Sequence, residues 1–400
     1  MSHSHHLDAA LDESFDSWSE DFNGGNASSL KIVVAPDSFK GTAPAYKSSE
    51  WISEGVQSVI RDAKIDCVPM ADGGEGTASL FDGEEITLPT TDAAGRLTEA
   101  TYVFNATEAR AYIDVAAASG LPAVKDNPVP LTGDTYGTGV LVADAVSRGA
   151  RTIVLGLGGS ATIDGGTGIL AALGINALDK DGHALRHGGG ALVDLADFDT
   201  AKMNIPAASV DWILLADSAF PATGERGAAR VFGPQKGASE DEVELADRAL
   251  ARLCEVTGVD PDQPGYGAAG GISIGLTWIS TLLHGTADHV TVVSGSKTVA
   301  QAQGLPEKIA DAHLVITGEG NYDDQSAGGK VVSTVLDLAK DAGTAAAVIA
   351  GAIDAKLDPD VLTVELGDAP DPNAPDFNEQ VREKLVDAGA QVALDYLQRP

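Results

Sequence analysis

Three lysines sit beside glycine in stretches that read as loops: Phe39-Lys40-Gly41, Gln235-Lys236-Gly237 and Gly329-Lys330-Val331. The chain holds only 26 Lys plus Arg against 59 Asp plus Glu. Where selection has replaced surface cations with carboxylates, a lysine kept beside glycine points to neutralising a bound anion, against the plainer alternative of capping carbonyls at an element end. The carboxylates Asp37, Asp72, Glu75, Asp217, Glu319 and Asp323 fall just after predicted strands, where open α/β sheets bind ligands. Loop carboxylates are usually only solvated. Asp72-Gly-Gly-Glu75 and Gly318-Glu319-Gly320 rise above that background because glycine lets backbone approach a ligand closely, and metal ligation or proton transfer are the roles open to them.

The strongest single segment is Leu155-Gly-Leu-Gly-Gly-Ser-Ala-Thr-Ile-Asp-Gly-Gly-Thr-Gly168, which follows an aliphatic run and leads toward a helix. Such a turn presents backbone N–H groups to an anion. Gly156, Gly158 and Ala161 also fit a dinucleotide fingerprint with Asp179 or Asp181 about twenty residues on, so an NAD-dependent dehydrogenase is a rival reading. Ser160, Thr162 and Asp164 favour phosphate and metal instead. No GxxxxGK[ST] motif occurs. His284 and His289 read as surface or packing residues, and Cys67 and Cys254 as free thiols without a metal-ligand or disulfide pattern.

These loops need strands and helices to aim them. Lys31 to Ala35 and Ile65 to Val68 read as buried strands flanking a helix with Trp51, Ile52, Val56, Val59 and Ile60 at helical spacing, a βαβ unit. The same grammar returns in strand 312–317, loop 318–329, helix 330–340, strand 345–349 and a final helix 377–397. Between them, residues 86–115 alternate as a small antiparallel element, followed by helix 137–147, strand 152–155, helix 167–173 and strand 212–215. The reading is α/β: a Rossmann-like parallel-sheet domain, 30–85 plus 290–400, with a second α/β domain, 86–289, inserted in it. Residues 1–29 hold six acidic residues between Asp8 and Asp21 and no Lys or Arg, and read as a disordered acidic tail.

Four hundred residues, 44% of them hydrophobic but only 5% aromatic, support two domains with aliphatic cores, and 46 glycines imply many tight turns. The net charge of −33 makes nucleic acid and anionic membranes poor partners. Because total charge is an ordinary 21%, the acidity comes from substituted cations, a pattern that suits a salt-rich cytoplasm. No run reaches 18 apolar residues and no signal peptide is evident, so the chain reads as cytoplasmic.

In their order, six segments resemble the glycerate kinase family that includes the bacterial glycerate 2-kinases: APDSFKG at 35–41, PMADGGEGT at 69–77, GLGGSAT.DGG at 156–166, VFGPQKGA at 231–238, GAAGG at 267–271 and LVITGEG..D.Q at 314–325. The resemblance implies an ATP-dependent kinase of D-glycerate working in a cleft between two domains. The matching positions would line that cleft, and the needs of phosphoryl transfer assign their roles: Gly158, Gly159, Ser160 and Thr162 would cradle ATP phosphates, with Glu319 also on the nucleotide. Lys40 and Lys236 would offset anionic charge, Asp72, Glu75 or Asp164 would hold Mg²⁺, Asp217 would orient the acceptor hydroxyl, and Asp37, Ser38 and Asp323 would contact the acceptor. The chain departs from the family at Ile163, where Asn is usual, and at Phe220, Asn321 and Val332. Apolar residues at 163 and 220 would reshape a polar acceptor pocket, and they leave a non-catalytic sugar-acid sensor as a further rival.

Overall fold

The computed structural model describes residues 29–323 and 329–399, so the expected acidic tail lies, but for Ser29, outside the described residues. Five strands form one all-parallel sheet: β1 (Lys31–Val34), β2 (Lys64–Cys67), β11 (Leu314–Tyr322), β12 (Ala345–Ile353) and β13 (Leu362–Glu365), in the order β13-β12-β11-β1-β2. Counted within this sheet the order is 2-1-3-4-5, a common doubly wound arrangement whose switch point lies between β1 and β11.

Alternation along β1 sends side chains to two helical layers. Ile32 and Val34 pack with Ile52, Val56, Val381 and Leu385 of helices Ala45–Val59 and Phe377–Leu397, while Val33 and Ala35 pack with Val299, Leu305 and Val335 on the opposite face. The first pair of helices crosses at glycines. A Cβ on Gly55 would lie 1.9 Å from the Val386 carbonyl oxygen and one on Gly389 would lie 2.2 Å from that of Ile52, so neither position accepts a side chain.

The second sheet has the order β10-β9-β6-β5-β4-β3. Its strands are β3 (Glu84–Thr91), β4 (Leu97–Asn105), β5 (Arg110–Asp114), β6 (Thr152–Gly156), β9 (Asp211–Leu215) and β10 (Val290–Val293), with a small β7 (Asn176–Leu178) and β8 (Asp197–Asp199) hairpin beside it. β3 and β4 are the antiparallel edge and the rest run parallel. Two α/β domains result, one inserted in the other.

Three details differ from the sequence reading. Residues 290–293, placed with the first domain, pair with β9 in the second sheet, because their aliphatic run completes its edge. Gly318–Tyr322, expected as loop, continues β11 in register with β12, Glu319 opposite Ala350. Helix Glu240–Thr257, absent from the sequence outline, begins at a Ser239/Glu242 capping box and buries Val243, Ala246, Leu250 and Leu253.

Candidate active site

At the switch point of the first sheet, the Asp37 N–H donates to the Gly318 carbonyl at 2.9 Å, which sets Asp37 between β1 and β11. Its carboxylate accepts from the Ser38 N–H at 2.6 Å. Burial, and then the nearby Asp72 carboxylate, pushes the Asp37 carboxyl up to about 8. Lys40 reaches over from the same loop. Its Nζ lies 3.7 Å from Asp72 Oδ2, and Asp72 holds its pKa above the usual lysine value.

Asp72 belongs to the Asp72-Gly-Gly-Glu-Gly76 loop, which passes between the two sheets. Asp72 Oδ1 accepts from the Gly74 N–H at 3.0 Å, and the Gly158 N–H donates to the Gly73 carbonyl at 2.9 Å. Gly73 has φ +90, and a Cβ there would stand 2.8 Å from the Leu215 carbonyl oxygen at the end of β9. Beneath the loop, Asp114 ends β5 fully enclosed, accepting from the N–H groups of Gly76 at 2.9 Å and Ala78 at 3.0 Å. Burial pushes its carboxyl up to about 7. Sequence reasoning missed Asp114, although a lone carboxylate inside the apolar run Ala111–Ala118 was a signal.

On the second domain's wall, the loop after β6 is tied down at both sides: the Leu157 N–H donates to the Leu215 carbonyl and the Ala161 N–H to that of Ser119. Lys236, 3% exposed, donates from Nζ to Ser160 Oγ at 2.9 Å and to the Thr162 carbonyl at 2.7 Å. Burial pushes its pKa down to about 7, offset in part by Asp164. Thr162 Oγ1 is enclosed without a hydrogen-bond partner. A buried ammonium beside an unsatisfied hydroxyl is chemistry suited to an anion.

The structure gives several of these residues other partners. Asp164, expected as a magnesium ligand, is wholly buried and accepts from the Thr135 N–H (2.9 Å) and hydroxyl (2.8 Å) and from the N–H groups of Gly166 (3.1 Å) and Gly168 (2.9 Å), bonds that tie these loops together. Asp217 likewise spends one oxygen on the Ser294 hydroxyl at 2.6 Å and the other on the Ser296 N–H at 3.0 Å, pinning the end of β9 to helix Gly295–Ala302. Ile163 is fully enclosed in an apolar cluster with Leu170, Leu250 and Ile274, not on a pocket wall. Phe220 is half-buried, edge-on to Phe232 at 5.6 Å with Arg226 over its ring. The dinucleotide fingerprint lacks its context, since the helix after β6 starts only at Thr167.

Asp37, Ser38, Lys40, Glu319 and Asp323 share one cavity of about 580 Å³ with Lys330, and its far wall brings in Glu365, Leu366, Asp368 and Lys384, none of which the sequence reading singled out. That volume fits a nucleotide. Glu75 is exposed in the same loop as Asp72. Among the described residues no three side chains of His, Cys, Asp or Glu form a ready-made metal cage. Mg²⁺ needs none, being held by one or two carboxylates together with substrate phosphates, and Asp72 and Glu75 fit that pattern. Among the described residues no helix is long and apolar enough to cross a membrane.

Comparison with known proteins places the chain in a family. The glycerate kinase family profile matches residues 32–365. A glycerate kinase of Halalkalibacterium halodurans is 38% identical over 332 residues, 80% of this chain and 85% of that protein. The glycerate 2-kinase of Escherichia coli K12 is 39% identical over 324 residues, 78% of this chain and 82% of that protein. A crystal structure described as glycerate kinase 2 from Salmonella typhimurium LT2 superposes with a TM-score of 0.75 at 33% identity, covering 92% of this chain and 99% of that one.

Proposed function

Because the chain belongs to the glycerate kinase family, we propose that it transfers the γ-phosphoryl group of ATP to the 2-hydroxyl of D-glycerate, giving 2-phosphoglycerate and ADP. The observation that carries this reading is the meeting of Lys40 and Asp72, at the switch point of one sheet, with the Gly158 loop of the other. Phosphoryl transfer asks for in-line positioning and charge neutralisation, and this junction supplies both from two sides.

Asp72 and Glu75 would hold Mg²⁺, which when bound neutralises charge on the phosphate oxygens. Lys40, its side chain 71% exposed, reaches phosphate without leaving its own loop. On the opposite wall, the N–H groups of Gly158 and Gly159, the Ser160 and Thr162 hydroxyls and Lys236 offer an anion-binding surface. Asp37 takes the acceptor's hydroxyl proton, its raised pKa making it a stronger base once ionised, and Ser38 and Asp323 orient the acceptor. Asp114 and Asp217 act at one remove by holding the loops on which these groups stand. We place the reaction in a salt-rich cytoplasm, which the net charge of −33 supports.

A coupled ADP-release assay in molar KCl, run with D-glycerate and related hydroxy acids, tests the reading. Glycerate-dependent, Mg²⁺-dependent ADP release is the expected result. Tight NAD binding without nucleotide turnover would contradict it.

A further inference from the structure

We propose that the cavity over the carboxyl ends of β1, β11, β12 and β13 holds the nucleoside half of ATP, with Glu365 and Asp368 reading the ribose hydroxyls and the phosphates running toward Lys40. The proposal rests on the kinase reading above and assigns the β12–β13 part of the cavity to one substrate, the β1 end being shared with the acceptor-contacting Asp37, Ser38 and Asp323.

Size favours an occupant larger than the acceptor alone. A cavity of about 580 Å³ is far larger than a three-carbon acid requires and falls within the range of nucleotide pockets. Its shape agrees. The cavity is lined from the β1 loop across to the end of β13, four adjacent strands, and three strand spacings span about 14 Å, close to the length of an extended nucleotide.

The two ends of that span differ in what they adjoin. At the β1 end stand the Lys40 ammonium and the junction with the second sheet, where phosphoryl transfer takes place. At the β13 end, Glu365 and Asp368 would repel phosphate but accept hydrogen bonds from a vicinal diol, the role a strand-end carboxylate plays toward ribose in other doubly wound sheets. The base would then lie against Leu366, Ala369 and Leu385. Carboxylates line both ends, Asp37, Glu319 and Asp323 at one and Glu365 and Asp368 beside Lys384 at the other, so the direction is set by the junction with the second sheet at the Lys40 end. The far wall is also preformed: Lys384 of helix Phe377–Leu397 donates from Nζ to the carbonyls of Leu366 at 2.8 Å and Asp368 at 2.9 Å, fixing the loop that carries both the apolar face and the second carboxylate.

Isothermal titration calorimetry of the full chain with ADP and with 2′-deoxy-ADP, in Mg²⁺ and molar KCl, tests the assignment. Ala369→Trp adds bulk from an exposed loop and is expected to weaken ADP at least tenfold and to raise the KM for ATP, with the KM for glycerate within twofold of wild type. Wild-type enzyme should bind 2′-deoxy-ADP several-fold more weakly than ADP, and the Glu365→Ala/Asp368→Ala variant should lose that preference. ADP affinity unchanged in both variants, or a rise in the KM for glycerate instead of ATP, overturns the proposal alone. A wild-type protein that binds no ADP overturns both the proposal and the kinase reading.

Discussion

The Gly158 N–H donates to the Gly73 carbonyl at 2.9 Å, so the loop after β2 in one sheet is hydrogen-bonded to the loop after β6 in the other. The two walls of the crevice are thus sutured at the point where Asp72 meets Lys40. A rigid junction of this kind sets the distance between groups on opposite walls, which in-line transfer requires.

The suture leaves no room for a side chain. A Cβ on Gly158 would lie 2.7 Å from Gly74 Cα and 3.0 Å from Gly74 N, backbone atoms that give way only if the loops part. Gly158→Ala is expected to lower kcat/KM tenfold or more, with a stability loss of about 1–3 kcal/mol. Steady-state kinetics with thermal melts check this, and a wild-type kcat/KM would show that the loops separate without consequence.

Lys40 is mostly exposed and packs against little, so its removal separates chemistry from folding. Lys40→Ala should reduce kcat by about 10²–10³ through lost charge stabilisation while the melting temperature stays near wild type. Parallel loss of rate and stability would assign the residue to structure.

Lys236 gives a pH test whose sign is fixed by burial. Its pKa falls from 10.5 in the unfolded chain to about 7 in the fold, so between those values the unfolded state binds more protons and the stability contribution rises with pH. Below about pH 7 the ammonium is charged in both states and that gain is absent. Unfolding free energies of wild type and Lys236→Met, measured from pH 6 to pH 10, should therefore diverge in favour of wild type above about pH 7. A constant difference across the range would mean that Lys236 titrates normally in the fold.

Much of this was legible in the chain. KIVVA declares itself as a continuous apolar run buried on both faces, and the final 377–397 helix as a helical period buried on one. The glycine-flanked loops also stood out, and Asp37, Ser38, Lys40, Glu319 and Asp323 do share a cavity. What sequence could not tell is how a carboxylate's oxygens are spent. Asp164 and Asp72 look alike as loop aspartates, yet one accepts four bonds inside the core and the other faces Lys40. Glu365, Asp368 and Lys384 escaped notice because only the packing of β13 against the last helix brings them to the cavity.

Ile163 illustrates the same limit and changes an expected outcome. Enclosed among Leu170, Leu250 and Ile274, it cannot meet the acceptor, so Ile163→Asn should bury an amide without partners and cost about 2–4 kcal/mol while leaving the ratio of kcat/KM between glycerate and bulkier acids unchanged. Denaturant unfolding together with substrate comparison checks it. A shifted ratio at wild-type stability would return residue 163 to the pocket.

Salt dependence is expected from charge. With a net −33 and a Debye length of about 3 Å at molar salt against about 10 Å at 0.1 M, self-repulsion is screened only in concentrated KCl. Circular dichroism and activity should both decline over hours in dilute buffer and persist in molar KCl. Full native signal and activity in dilute buffer would contradict this.

The most direct measurement is ³¹P and ¹H NMR of the product formed from ATP and D-glycerate by the 400-residue chain in Mg²⁺ and molar KCl. The account predicts 2-phosphoglycerate appearing in step with ADP, abolished without glycerate and strongly reduced by Lys40→Ala. Phosphate on the 3-hydroxyl, or ADP formed without any phosphoglycerate, would contradict it.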